Sequence, residues 1–457
     1  MEAGVRSGQL TPGDHLPPVR ELAGQLGISP TTVAAAYSDL RRRGLTTGTG
    51  RAGTRIRGAP PVSSRVYLSA PAGTRDLITG GPDPDLLPLL PAQPARRSAR
   101  MYAEAPVSPR LRRLAAGQLA ADGIDTASLT VTGGALDGIE RVLATWLTPA
   151  DRVIVEDPGH AVTFDLLAAM GFTAVPVPVD DLGVRPAELA AALARGAGAL
   201  IVTPRAQAAT GAAWDAGRAA EIGEVLRRHP SVGVIEDDHA GPVAGVPAFS
   251  ACAGPSGRAG LSGRAGFAGP ARWVTLRSVS KSLGPDLRLA VMAGDEATIT
   301  RVAGRQALGT GWVSYQLQEM VAELWSDASV GRTLAVAAQV YADRGAALRS
   351  ALAAHGITAS GRSGFTCWVP VADEDGVVAA LARGDAPAGP PGRSNPAGGP
   401  RREGMAAAGW AVAPGQRFRI ASPPGVRISF ARLEEADAAS FAAEFARALR
   451  HRASRLD

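Results

Sequence analysis

The stretch RSVSKSLGPDLRLA, residues 277–290, holds the one lysine of the 457-residue chain, Lys281, and its reading decides the fold. The 48 basic residues are otherwise all arginine, and asparagine occurs once, at Asn395. An excess of alanine, glycine, arginine and proline has the look of compositional drift, so most arginines read as solvated surface charge. A lysine that survives such drift points to chemistry, because an arginine cannot be deprotonated in a protein and cannot attack a carbonyl. Ser278, Ser280 and Arg288 lie within a few positions of it, where the apolar run WVTLRSVSK (273–281) ends. Two hydroxyls and a guanidinium are donors suited to a phosphate, and the lysine adds an amine.

Working outward, LTVTGG (129–134), RVIVEDPG (152–159), GALIVTP (198–204) and VGVIEDDH (232–239) are further short apolar runs, each ending in small or polar residues. Runs apolar on both faces suit a buried, mostly parallel sheet with functional residues at the strand ends. In TVTGGALDGIERVL (130–143) a strand end and two glycines precede a helix, so the amides of Gly134 and Ala135 would face an anion with the helix dipole behind them. In VIEDDHAG (234–241) three consecutive acids close an apolar strand, which demands a cation opposite. A protonated pyridine nitrogen facing Asp237 meets that demand. A metal held by Asp237, Asp238 and His239 is the rival reading, and no second His/Asp cluster supplies its remaining ligands. The two cysteines, Cys252 and Cys367, lack CxxC spacing and read as small buried residues.

The first 58 residues form a separate unit. PPVRELAGQLG (17–27) has helical apolar spacing and stops at Gly27; Ser29 then caps a second helix, with Pro30 at its first position, that runs to Gly44. Two short helices joined at a glycine make a helix-turn-helix pattern, with Thr31 and Thr32 at the start of the second helix, where bases and phosphates are met. LTTGTGRAGTRIRG (45–58) reads as a two-stranded wing. Eight arginines stand against four acids in this unit, a surplus that favours phosphate neutralisation. Residues 59–75 have linker composition, and residues 76–457 form a second domain with a smaller C-terminal part from about residue 330. Two low-complexity insertions, 254–270 and 384–402, read as surface loops.

PGDHLPPVRELAGQLGISPTTVAAAYSDLRRRG (12–44) resembles the winged helix of GntR-type regulators. That resemblance implies that Arg20, Ser29, Thr31, Thr32, Tyr37, Gly50 and Arg51 lie against a double-stranded DNA operator, and that the family's first helix begins upstream of Met1. From residue 76 onward, TGGA, EDPG, TPRAQxxTG, EDDH, SxSKxxGPxxR and VRISF resemble, in order, a class I aminotransferase of fold-type I. The fusion is similar to the MocR family of transcriptional regulators. It implies an α/β fold: a pyridoxal phosphate (PLP)-dependent aminotransferase-like domain with a mostly parallel central sheet and a smaller C-terminal α/β subdomain, preceded by a winged helix-turn-helix. By the same resemblance Lys281 forms a Schiff base with PLP, Gly134, Ala135, Ser278, Ser280 and Arg288 hold its phosphate, and Asp237 its ring nitrogen. Arg427 takes the carboxylate of an amino acid or amine effector, and Tyr102 reaches a phosphate across a domain-swapped homodimer.

Three positions depart from the aminotransferase pattern. His160 stands where an aromatic ring stacks on the cofactor, His239 where a tyrosine meets its 3′ oxygen, and Ala208 where an asparagine contacts that oxygen. An imidazole can still stack and donate; losing one hydrogen bond to a charged oxygen costs about 1.5–3 kcal/mol. The arginine-rich N-terminal unit favours a ligand-responsive transcription factor over an active aminotransferase with a vestigial DNA-binding domain, and the retention of Lys281, Asp237, Ser278 and Arg288 favours it over a scaffold without cofactor. The absence of an 18-residue apolar run and of a signal-like segment leads to the expectation of a cytoplasmic protein with no membrane partner.

Overall fold

Five runs that are apolar on both faces become strands of one buried sheet, four of them side by side. The computed structural model describes residues 13–42, 46–47, 53–56, 69–90, 101–102, 104–252, 270–384 and 409–453. In the N-terminal unit, β1 (His15–Leu16), β2 (Thr46–Thr47) and β3 (Thr54–Ile56) form an antiparallel sheet in the order β1-β3-β2 beside the helices Val19–Leu26 and Pro30–Arg42. Gly27 ends the first helix in a left-handed conformation (φ 63°), which glycine adopts without steric cost. The Ser29 hydroxyl accepts the Thr32 amide at 3.1 Å and so caps the second. Leu16, Ala23, Val33, Tyr37, Leu40 and Ile56 make the small core.

Tyr37 corrects the sequence reading. It was expected on the DNA face, yet it is buried, and its hydroxyl donates to the Pro17 carbonyl at 2.8 Å. Four residues after Val33, it shares that residue's inward face of the helix. Arg20, Ser29, Thr31 and Thr32 are all exposed. Gly50 and Arg51, at the tip of the expected wing, lie outside the described residues, as do almost all of both low-complexity insertions.

After the linker, β4 (Arg75–Leu77) begins one residue before the expected boundary. The large sheet is built from β5 (Leu129–Thr132), β6 (Arg152–Asp157), β7 (Thr173–Asp180), β8 (Gly183–Val184), β9 (Ala199–Val202), β10 (Gly233–Asp238), β11 (Arg272–Ser278) and β12 (Ala290–Gly294). Their order is β5-β12-β11-β10-β9-β6-β7-β8. The central pairings, β11 to β10 to β9 to β6 to β7, are parallel, whereas β12 runs antiparallel to both of its neighbours. Helices on both faces bury the sheet, which is why β5, β9, β10 and β12 have no exposed residue.

The C-terminal part has its own sheet, in which β13 (Thr366–Pro370), β14 (Trp410–Pro414) and β15 (Gly425–Ser429) lie in the order β13-β15-β14-β4. The strand that follows the linker is therefore an edge strand of the C-terminal sheet, paired parallel to β14 through Arg75, Asp76 and Leu77. The helices Ala328–Ala353, Glu374–Arg383 and Ala438–Ala453 accompany this sheet, and Trp410, Phe441 and Phe445 are fully buried in its core. Cys252 and Cys367 are buried and free. Among the described residues no helix is long and apolar enough to cross a membrane.

A buried ion pair fixes the long helix to the entry segment: Arg344 meets the Asp83 carboxylate at 2.7 Å and also donates to the Ala431 carbonyl. Breaking such a pair from one side leaves a buried charge without its partner. Arg344→Ala is expected to destabilise the protein by about 3–5 kcal/mol, read as a lowered urea midpoint; a midpoint unchanged from wild type would contradict the buried pair.

Candidate functional site

Side chains alternate along a strand, and at the end of β10 that alternation separates three acids. Glu236 and Asp238 turn to one face. Glu236 accepts from Ser250 Oγ at 2.6 Å, the Ala251 amide at 2.9 Å and Thr275 Oγ1 at 3.0 Å. Asp238 is gripped by two guanidinium groups: Arg205 Nε and Nη2 donate to its two oxygens at 2.8 Å each, and Arg277 Nε donates at 2.8 Å. These arginines hold its carboxyl far below the usual carboxylate range. Asp237 faces the other way, into a cavity of about 380 Å³, and its Oδ1 is buried without a hydrogen-bond partner. Burial, and then the neighbouring Asp238 charge, push its carboxyl up to about 7, with Lys281 opposing.

The same cavity gathers residues from strand ends far apart in sequence. Ala135, His160, Ala208, Asp237, His239, Ser278, Ser280, Lys281, Arg288 and Arg427 all line it. At one end the Ser278 and Ser280 hydroxyls lie 3.0 Å apart beside Arg288. Gly134 caps the helix Ala135–Trp146 at φ 114°, and a Cβ there would stand 2.7 Å from Arg288 Nη2. Ala135, Ser278, Ser280 and Arg288 line the cavity together, while Gly134 lies just behind them against Arg288; backbone amides, hydroxyls and a guanidinium are donors of the kind that suit a phosphate.

Lys281 Nζ donates to the Gly80 carbonyl at 2.6 Å. Burial and then the charges of Arg427 and Arg288 lower its amine to about 8, so a useful share is neutral and nucleophilic near physiological pH. His160 contacts Thr163 Oγ1 through Nδ1 at 3.0 Å. Burial first, and then the charge of Lys281, lower His160 to about 4 and His239 to about 3, so both rings are neutral and each keeps one N–H to give. Arg427 lies buried 4.8 Å above the Phe418 ring. Its Nε donates to the Ala208 carbonyl at 3.0 Å and its Nη1 to the Ile78 carbonyl at 3.2 Å, and among the described residues it has no ion-pair partner. Burial lowers it to about 10.

Tyr102 stands apart. It is 89 % exposed, packs edge-on to Trp312 with ring centroids 5.7 Å apart, and does not line the cavity of its own chain. The metal reading loses a ligand, since Asp238 is committed to two arginines; among the described residues no group of three or more His, Cys, Asp or Glu is placed to hold a metal. Sequence reasoning missed Gly80, Arg205, Phe365 and Phe418. Gly80 acts through its carbonyl, which leaves no trace in sequence beyond the Gly-Gly of LITGGPD. Arg205 was hidden among dozens of surface arginines.

The Asp237 environment makes a pH prediction. In the unfolded chain this carboxyl titrates in the usual range, and in the folded protein at about 7, so the fold binds the proton more tightly. Its contribution to stability is full below the usual range and is lost as pH rises toward about 7. Asp237→Asn, measured without added ligand, is expected to raise the melting temperature relative to wild type at pH 8 and to lose that advantage on acidification. An advantage that grows toward acid pH would show the carboxyl to be unshifted or depressed.

The chain matches the family model "Aminotransferase class I and II" over residues 91–445 and "Bacterial regulatory proteins, gntR family" over residues 1–56. It is 36% identical over 448 residues to the vitamin B6 salvage pathway transcriptional repressor PtsJ of Salmonella typhimurium, covering 97% of this chain and 96% of the relative. It is 31% identical over 254 residues to the pyridoxine biosynthesis transcriptional regulator PdxR of Corynebacterium glutamicum, covering 51% and 53%. Among solved structures, LysN, the alpha-aminoadipate aminotransferase of Thermus thermophilus, superposes with a TM-score of 0.68 at 19% identity, over 86% of this chain and 98% of that one. The winged helix, the mostly parallel sheet and the convergent site therefore have one family explanation: the chain belongs to the MocR-type transcriptional regulators, in which a GntR helix-turn-helix domain is fused to a class I and II aminotransferase domain.

Proposed function

We propose that this regulator binds PLP in the cavity around Lys281 and that occupancy of the cavity is the signal it passes to DNA. One observation carries the reading: Asp237 Oδ1 is buried and partnerless at the cavity wall, the atom that a protonated ring nitrogen would satisfy. The other residues fit the same group. Gly134, Ala135, Ser278, Ser280 and Arg288 hold the phosphate, the neutral ring of His160 stacks on the pyridine, and His239 donates to its 3′ oxygen. When bound, PLP supplies an aldehyde, which the amine of Lys281 takes up covalently. Both named relatives regulate vitamin B6 genes, which supports the cofactor itself as the signal.

A second reading rests on Arg427, a buried guanidinium at the cavity wall without a carboxylate partner among the described residues. Here the effector is an amino acid or amine whose carboxylate meets that fork. Turnover as an aminotransferase is the weaker reading, because Ala208 offers the 3′ oxygen no donor and the N-terminal unit has a fully formed core. The regulator acts as a domain-swapped homodimer on double-stranded DNA, with Tyr102 of each copy directed to its partner's phosphate site. The strongly exposed Leu89, Tyr102 and Leu308 suit burial against a second copy.

Two measurements test this. Protein mixed with PLP is expected to develop a visible absorption band that Lys281→Ala abolishes; a band that survives the substitution would remove Lys281 from its role. A gel shift on the upstream region of its own gene is expected to weaken steeply with salt, as phosphate contacts require. Binding indifferent to salt, or absent at low salt, would overturn DNA recognition by Arg20, Thr31, Thr32 and the wing.

A further inference from the structure

Two of the cavity's cations are bonded to the same short stretch of backbone. Lys281 Nζ donates to the Gly80 carbonyl at 2.6 Å, and Arg427 Nη1 to the Ile78 carbonyl at 3.2 Å. Ile78, Thr79, Gly80 and Gly81 line the cavity themselves. They directly continue β4, the first strand after the segment that leads back to the DNA-binding unit. Asp76 ties strand to turn, its Oδ1 accepting the Ile78 and Thr79 amides at 2.9 and 3.0 Å.

On the upstream side the stretch is anchored differently. Arg75 meets Asp437 at 2.9 Å, its guanidinium lies 4.1 Å over the Trp410 ring, and its amide donates to the Gly409 carbonyl at 2.8 Å. β4 is an edge strand held by three paired residues, so its hold on the C-terminal sheet is modest. Residues 75–81 thus join the linker to the amine that PLP consumes.

We propose that residues 75–81 are the reporter through which the cavity signals to the winged helix. The inference rests on the proposed binding of PLP at Lys281. With the amine free, the ammonium clamps Gly80 to the large sheet. When an aldehyde binds, the nitrogen forms a double bond to the aldehyde carbon. Two of its three hydrogens leave with the aldehyde oxygen as water, and the positive charge stays on nitrogen. The one remaining hydrogen is fixed in the plane of the new double bond, so Nζ can no longer turn a donor toward Gly80. The carbonyl loses its charge-assisted partner, the turn 78–81 is released from the large sheet, and the edge strand before it passes the change to the linker. A carboxylate drawn to Arg427 would compete with Ile78 and act on the same turn.

The test uses the full chain with PLP as the probe and reads three signals: the visible band, hydrogen exchange in peptides covering 76–81, and affinity for a labelled fragment of its own upstream region. In wild type, saturating PLP is expected to speed exchange at 76–81 and to change DNA affinity by about fivefold or more. Arg75→Ala and Asp437→Asn, both remote from the cavity, are expected to keep the band while the DNA response to PLP falls to near zero. If either variant binds PLP and keeps the full wild-type response, the reporter is overturned. Should a variant fail to fold, the wild-type exchange decides: a band without faster exchange at 76–81 overturns the proposal. Absence of a band in wild type fails the cofactor reading itself, and the proposal falls with it.

Discussion

The grip of Arg205 and Arg277 on Asp238 organises the site. Asp238 ends β10, Arg277 lies on the neighbouring β11, and Arg205 follows β9, so one carboxylate pins three adjacent strand ends together. Arg277 also reaches Asp122 at 2.6 Å, beyond the helix Pro109–Ala121. Two cations on one anion compensate the cost of burying that charge, and their planar forks fix direction as well as distance. With Asp238 held on one face, strand alternation leaves Asp237 no choice but the other. Lys281 and Ser278 sit within a few residues of Arg277, so the same clamp sets where the amine and the phosphate donors stand.

The chemistry of the cavity follows from the burial of its side chains. Burial raises Asp237, lowers Lys281 and Arg427, and keeps both histidines neutral; in each case the charged form is the one that water no longer supports. A cavity of this kind holds an acid that can protonate, an amine that can lose its proton and two rings that can each give one hydrogen. An aminotransferase needs these features, and so does a sensor that must hold PLP firmly. Ala208, at the wall of the same cavity, has no side-chain donor to offer.

The N-terminal unit separates what packs from what binds. Val33, Tyr37 and Leu40 sit on one face of the second helix and close the small core with Ala23 and Ile56. The exposed Thr31 and Thr32 lie at its N-terminal end, where the helix dipole favours phosphate. Tyr37 shows why motif reading overreached: an aromatic within a DNA-binding helix carries no mark of which face it occupies until its partners are known.

By itself the sequence determined the class of fold and most of the site's membership. Apolar runs ending in glycine, proline and acids can only be buried strands with their chemistry at the ends, and a lone lysine in an arginine-rich chain marks an amine that arginine cannot replace. Asp237, Ser278, Arg288 and Arg427, singled out from the motifs, line one cavity. Tertiary structure supplied what the sequence could not show of the three acids, the partners of the other two, because neighbours across strands, not spacing, satisfy Glu236 and Asp238. It also decided that β4 joins the C-terminal sheet, placing the backbone of Ile78 and Gly80 against Arg427 and Lys281. Backbone carbonyls are the same in every residue, so their choice of partner is written only in the path of the chain.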